Sequence, residues 1–225
     1  MIVTIHQPNY LPWLGLFHKV ALADLFMSLD NVSFSKGGYG NRNRIKTSRG
    51  IQWMTIPVYT KHRKNQFIHS VQIDQRKNWQ KKHFRTLEQN YSGSPFFDFY
   101  HPWLQVLYST KIDFLADVNE FFIRELLEKF EINTSFKKIS GLDVSGSSTE
   151  LIIQVCKLVG ATGYLSGPTG RNYLDLKRCR ANGIEVIFQD FKHPVYPQRF
   201  GKFVSNLSAI DFLLNCGGES FHEIM

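Results

Sequence analysis

The sequence predicts an α/β fold: a mostly parallel Rossmann-like sheet flanked by helices, with a basic hairpin and loop insertion, built as a single domain over residues 1–225. Three observations lead there. An apolar stretch at residues 1–5 runs into a polar, proline-bearing turn and then a helical pattern, the order in which α/β proteins place ligand chemistry. Strand-like and helix-like periodicities alternate along most of the chain. Between residues 147 and 188 a helix, a short strand, a Gly-Pro loop, a helix and a strand succeed one another, and the last four make a βαβ unit.

A strand over residues 2–5 opens the chain. Pro12 takes a favourable first-turn position, and Leu14, Phe17, Ala21 and Leu22 repeat at helical spacing to about residue 23. A second strand covers residues 25–29. Residues 35–50 are rich in Gly, Asn and Arg and poor in apolar side chains, which predicts a loop; its 16 residues are long enough to carry function. Strands over 51–58 and 68–73, separated by the basic tip Lys61, His62, Arg63 and Lys64, predict a hairpin. Trp79, Phe84 and Leu87 among Lys and Arg predict a helix over 79–89, ended by a Gly/Ser/Pro turn. A helix near 102–108 follows. Next comes a core helix over 113–130, where Phe114, Val118, Phe121, Leu126 and Phe130 recur at helical spacing. Ser147 and Glu150 form a capping-box pair before a helix to residue 159, which Gly160 ends. The βαβ unit then runs through a strand at 163–165, a tight loop at 166–170, a helix at 173–181 and a strand at 184–188, with a right-handed crossover expected. A last helix covers 207–214.

With 43% hydrophobic and 20% charged residues the composition is that of a globular protein. No tract of roughly 18 apolar residues is present to span a bilayer. His6, Pro8 and Pro12 interrupt the first apolar run, so no secretory signal is read and a cytoplasmic location is expected. Cys156, Cys179 and Cys216 are widely spaced and form no CxxC pair, which argues against a disulfide framework or a zinc ribbon. No metal site is expected, because the histidines form no HxxxH pair. The net charge of +8 is uneven: residues 36–85 hold 13 of the 27 Lys and Arg and a single acid, Asp74. Such a field attracts phosphates, nucleotide sugars or nucleic acid.

The run HQPNYLPW at residues 6–13 does not stand alone. LDNVSFSKGGYGNRNRIK follows at 29–46, IQWMTIPV at 51–58, SSTELI at 147–152 and YLSGPTGRNYLD at 164–175. In this order the motifs resemble the WbqC-like protein family, from residue 5 to about residue 218. The resemblance implies a bacterial protein of O-antigen (lipopolysaccharide) or related surface-polysaccharide synthesis, with glycine or other acyl transfer to an amino sugar as the suggested activity. The acyl donor stays open between aminoacyl-tRNA and ATP activation, and no cofactor or oligomeric state is assigned. The first strand, His-bearing turn and helix are also loosely similar to nucleotidyltransferase-type Rossmann folds, although Tyr10 to Trp13 occupy the place of their HxGH motif.

His6 leaves the end of the first strand, where an imidazole can take a proton near neutral pH, which makes it the candidate base. Asp30 ends the second strand and is the second candidate catalytic group, orienting an ammonium or a hydroxyl. Gln7, Asn9, Tyr10 and Trp13 are candidate substrate contacts beside His6, stiffened by the two prolines. Lys36, Arg42 and Arg44 are candidate phosphate ligands in the glycine-rich loop, while Asn41 and Asn43 orient polar groups or stabilise an oxyanion. In SGPTG the amides around Ser166, Gly167 and Gly170 form a candidate anion site, with Arg171, Tyr173 and Asp175 as further contacts. The expectation is that these groups converge on one cleft and bind a phosphate-bearing small molecule, a nucleotide sugar. The rivals are an RNA-binding module lying along residues 36–85, with Phe34, Tyr39, Trp53, Tyr59 and Trp79 as stacking aromatics, and a non-catalytic polysaccharide-pathway protein.

Overall fold

A computed structural model describes every residue except His62, Lys64, Ser147 and Met225, so part of the expected basic tip and the first residue of the expected capping box lie outside the described residues. In chain order the elements are β1 (Ile2–His6), α1 (Leu14–Ala21), β2 (Leu25–Ser28), β3 (Arg42–Thr47), β4 (Gly50–Thr55), α2 (Trp79–Tyr91), α3 (Phe97–Ser109), α4 (Leu115–Lys129), β5 (Ser135–Lys138), α5 (Ser148–Val159), β6 (Gly163–Ser166), α6 (Leu176–Ala181), β7 (Glu185–Phe188) and α7 (Ala209–Cys216). They fall into two compact units.

The first unit comprises Met1–Gln7, Gly15–Asn31 and Ile132–Lys192. Its five strands lie in the order β5-β2-β1-β6-β7, and all four neighbouring pairs are parallel. This is the Rossmann-like parallel sheet that the sequence predicts. β1 and β2 are in register from Val3↔Leu25 to His6↔Ser28, and β1 meets β6 from Ile2↔Gly163 to Thr4↔Leu165. Val3, Ile5, Leu25 and Met27 pack with Ile152, Val155, Cys156 and Cys179 in one apolar cluster. Burial there keeps the Cys156 thiol protonated, with its pKa pushed up to about 12. Gly160, at φ +70°, ends α5 in the left-handed conformation that glycine adopts without strain. The strand β5 went unread because SFKK is short and largely exposed, with no apolar alternation to mark it.

The second unit comprises Pro8–Leu14, Val32–Glu131 and His193–Met225. Tyr10, Tyr91, Phe122, Phe130, Phe212 and Phe221 are among its fully buried side chains. Here the structure departs from the sequence expectation. The region expected to be a loop contains β3, which pairs antiparallel with β4 from Arg42↔Thr55 to Thr47↔Gly50. The hairpin is therefore displaced toward the N-terminus by one strand. Its expected second arm is reduced to the isolated bridge Val58↔Ile73 and a 3-10 turn at Ile68–Ser70. The helix expected at 102–108 starts at Phe97 and carries Pro102 inside it; burial of Phe97, Tyr100, Leu104 and Leu107 outweighs the one amide that proline lacks.

Candidate functional site

The chain passes from β1 to β2 on one side and from β6 to β7 on the other, so the strand order reverses between β1 and β6. In open α/β sheets, ligands bind beyond the carboxyl ends of the strands at such a point. His6 ends β1 and Ser166 ends β6, so the two residues flank the reversal.

His6 is half-buried, and its carbonyl accepts the Leu29 amide at 2.8 Å. Burial, and then the charge of Lys19, lower its imidazole to about 3. The expectation of a histidine that takes a proton near pH 7 is corrected by this environment: the ring is neutral there and a weak base. Asp30 is buried, with Oδ1 accepting the Ser140 amide at 2.8 Å and Oδ2 accepting the Ser140 hydroxyl at 2.6 Å. Its carboxylate thus ties the end of β2 to the turn after β5. Gln7 is exposed.

The SGPTG segment runs from the end of β6 into a 3-10 turn, Pro168–Asn172, and its amides are partly spent. Pro168 has none, and the Gly170 amide donates to the Gly167 carbonyl at 3.0 Å. Ser166 is buried; its hydroxyl donates to the Gly167 carbonyl at 3.0 Å, and its own carbonyl accepts the Gln189 amide. A Cβ on Gly170 would meet Ser166 Oγ, so a side chain there has no room, whereas Gly167 faces open space. Arg171 stacks on Phe188 at 4.1 Å, and Tyr173 is exposed. The expected helix start at residue 173 moves to Leu176. Asp175 is its N-cap, accepting the Arg178 amide at 3.0 Å, so this carboxylate caps the helix.

The remaining candidates belong to the second unit. Tyr10 is fully buried, its hydroxyl 2.9 Å from His83 Nδ1 and 2.8 Å from the Tyr108 hydroxyl, in a cluster with Trp79 and Phe122. It is a core residue. Asn9 and Trp13 are half-buried, and Trp13 stacks on His193 at 6.4 Å. Asn43 is buried and spans two backbone groups: Nδ2 donates to the Leu11 carbonyl at 2.5 Å, and Oδ1 accepts the Arg44 amide at 2.8 Å. The first bond holds Leu11, which sits at φ +43°. Asn41 donates to the Ile56 carbonyl at 2.8 Å, while its buried Oδ1 has no hydrogen-bond partner among the described residues. Asn119 Nδ2 closes the proline turn by donating to the carbonyls of Pro8 and Gly40.

Arg42, Arg44 and Lys46 alternate with buried Asn43 and Ile45 along β3, so the three cations share one face. Arg44 lies opposite Trp53, and both guanidiniums cover that indole, Arg42 at 4.2 Å and Arg44 at 5.6 Å. Arg42 also donates to the Gly37 carbonyl, and Arg44 to the Asn206 carbonyl at 3.2 Å. Lys46 is spent on the backbone, 2.6 Å from the Lys202 carbonyl. Lys36 is exposed. Among the described residues no group of His, Cys, Asp or Glu is arranged to hold a metal ion.

Lys19 is a buried cation that no motif of the sequence singles out. This lysine, on α1, is 5% exposed, and Nζ donates to the Ile5 carbonyl at 3.1 Å. Burial lowers its ammonium to about 8. The available signal was a lysine within LGLFHKVA, a helix otherwise rich in apolar residues. His18 beside it is 3.0 Å from the Gln189 amide nitrogen through Nδ1, and burial lowers its imidazole below the ordinary value.

The fold is that of an α/β protein with a Rossmann-like parallel sheet, in which His6 and Ser166 end the two strands at the reversal of strand order. A profile of the WbqC-like protein family matches residues 7–223, and the chain belongs to that family. It is 34% identical over 220 residues to the uncharacterized protein Rv1507c of Mycobacterium tuberculosis, a match covering 97% of this chain and 95% of that protein. No solved structure gives a significant match. Among the described residues no helix is long and apolar enough to cross a membrane.

Proposed function

We propose that the protein is a transferase that modifies an amino sugar carried on a nucleotide, with glycyl or another acyl group transferred, in O-antigen or related surface-polysaccharide synthesis. The observation that supports a ligand site is the reversal of strand order between β1 and β6, flanked by His6 and Ser166. Family membership supports the substrate class. In this reading the nucleotide phosphates lie over the carboxyl edge, with the loop from Ser166 to Gly170 beside them. His6 accepts a hydrogen bond from the attacking amine, since the neutral ring is its form at pH 7.

The test is a titration of the purified chain with UDP-linked and dTDP-linked amino sugars, ATP and tRNA between about 50 and about 200 mM salt. Saturable nucleotide-sugar binding that depends weakly on salt is expected. The second reading, an RNA-binding module, draws on the guanidiniums of Arg42 and Arg44 over the exposed indole of Trp53. Binding of tRNA that falls steeply and linearly in log salt, without nucleotide-sugar binding, would overturn the transferase in its favour.

A further inference from the structure

Lys19 is an ammonium taken out of water without a counter-ion. Its side chain crosses from α1 to the end of β1, where the Ile5 carbonyl supplies one hydrogen bond; among the described residues no carboxylate lies within 4.0 Å of it. An ammonium has three donors, and a buried cation is stable only when paired and hydrogen-bonded. The strand it reaches is β1, at the reversal of strand order, one residue before His6. Exposed Lys and Arg are common in this chain; a buried, unpaired one at the ligand-bearing edge of the sheet is a different object.

We propose that Lys19 is an anion-binding residue of the carboxyl-edge site, its ammonium held at the end of β1 to pair with a phosphoryl oxygen of the ligand. This rests on the reading of that edge as the nucleotide-sugar site, and adds the group that neutralises the phosphate. The titratable groups around Lys19 are His6 on β1 and, on its own helix, His18, on which Asp190 acts. Both imidazoles lie below their ordinary values, so both are neutral from pH 7 upward. Lys19, lowered to about 8, is then the group at this edge that loses charge between pH 7 and 9.

The experiment is an NMR titration of the full chain with sulfate, whose charge is constant over this range, and with UDP, each at about pH 7 and about pH 9. Wild-type protein should bind sulfate about tenfold more weakly at the higher pH, because the site must take up a proton to bind. Lys19→Gln should lose that binding, and Lys19→Arg should bind alike at both pH values. Wild-type binding that does not change between the two pH values overturns the proposal, and this arm needs no variant to fold. The two anions separate the inference from the reading beneath it. Lys19-dependent sulfate binding without UDP binding keeps the anion site and sinks the nucleotide-sugar reading. UDP binding that neither pH nor Lys19→Gln alters keeps that reading and sinks the role of Lys19. Wild-type protein that binds neither anion overturns both.

Discussion

At the scale of single residues, burial decides what a polar side chain does. The Lys19 ammonium has exchanged water for one carbonyl, and its pKa of about 8 lies below the ordinary 10.5. The unfolded chain therefore binds this proton more tightly than the fold, so the charged lysine costs stability at pH 7, and the cost disappears as pH rises from about 8 through about 10.5. Lys19→Met should accordingly raise the melting temperature at pH 7 by several degrees, on the order of 1–3 kcal/mol. The gain should shrink above about pH 10, where wild type and variant are both neutral. Scanning calorimetry at two pH values checks this, and a variant less stable than wild type at pH 7 would show that the ammonium is compensated. Tyr10 and Asn43 make the same point from the other side. Their residue types suggest substrate contacts, yet Tyr10 bonds His83 and Tyr108 inside the core, and Asn43 holds the Leu11 backbone.

At the scale of elements, two substitutions separate structural from binding roles. Asp175 caps α6, so Asp175→Ala should cost about 1 kcal/mol, the usual loss of an N-cap, and leave ligand affinity unchanged. A loss of affinity at full stability would return Asp175 to the substrate contacts. The β3–β4 hairpin gives the second case. Arg42 and Arg44 stack on Trp53 and donate to the Gly37 and Asn206 carbonyls, so the double change to Ala should lower stability by roughly 1–2 kcal/mol, more than exposed loop residues lose. Urea denaturation measures it; a change under about 0.5 kcal/mol would mean that these contacts contribute little in solution. Strand β3 is hidden in the sequence because its inward positions in RNRIKT include Asn43 as well as Ile45. A polar residue on the buried face hides the period-two alternation that marks a strand.

At the scale of the whole molecule, acid should unfold the protein through its buried imidazoles. His83, packed between Tyr10 and Trp79, is lowered to about 4 from 6.5, and His6 to about 3. Below about pH 6.5 the unfolded chain takes up protons that the fold refuses, so stability is intact above that pH and falls as pH drops toward 4. For His83 the loss is on the order of 3 kcal/mol. Urea midpoints that fall between about pH 7 and about pH 4.5, and fall less in His83→Gln, are the expected result; flat midpoints would show both rings to be solvated. The sequence by itself determined the parallel sheet, the βαβ unit ending at β7 and most of the long helices, because those elements bury apolar residues at their own periods. It also determined the family, through motifs whose order does not depend on their surroundings. Only the tertiary structure decided that Asp30 binds Ser140, that Tyr10 belongs to the core, that His6 is neutral and that Lys19 is buried beside it. Hydrogen-bond partners and desolvation are set by neighbours far away in the chain, and local sequence carries no record of them.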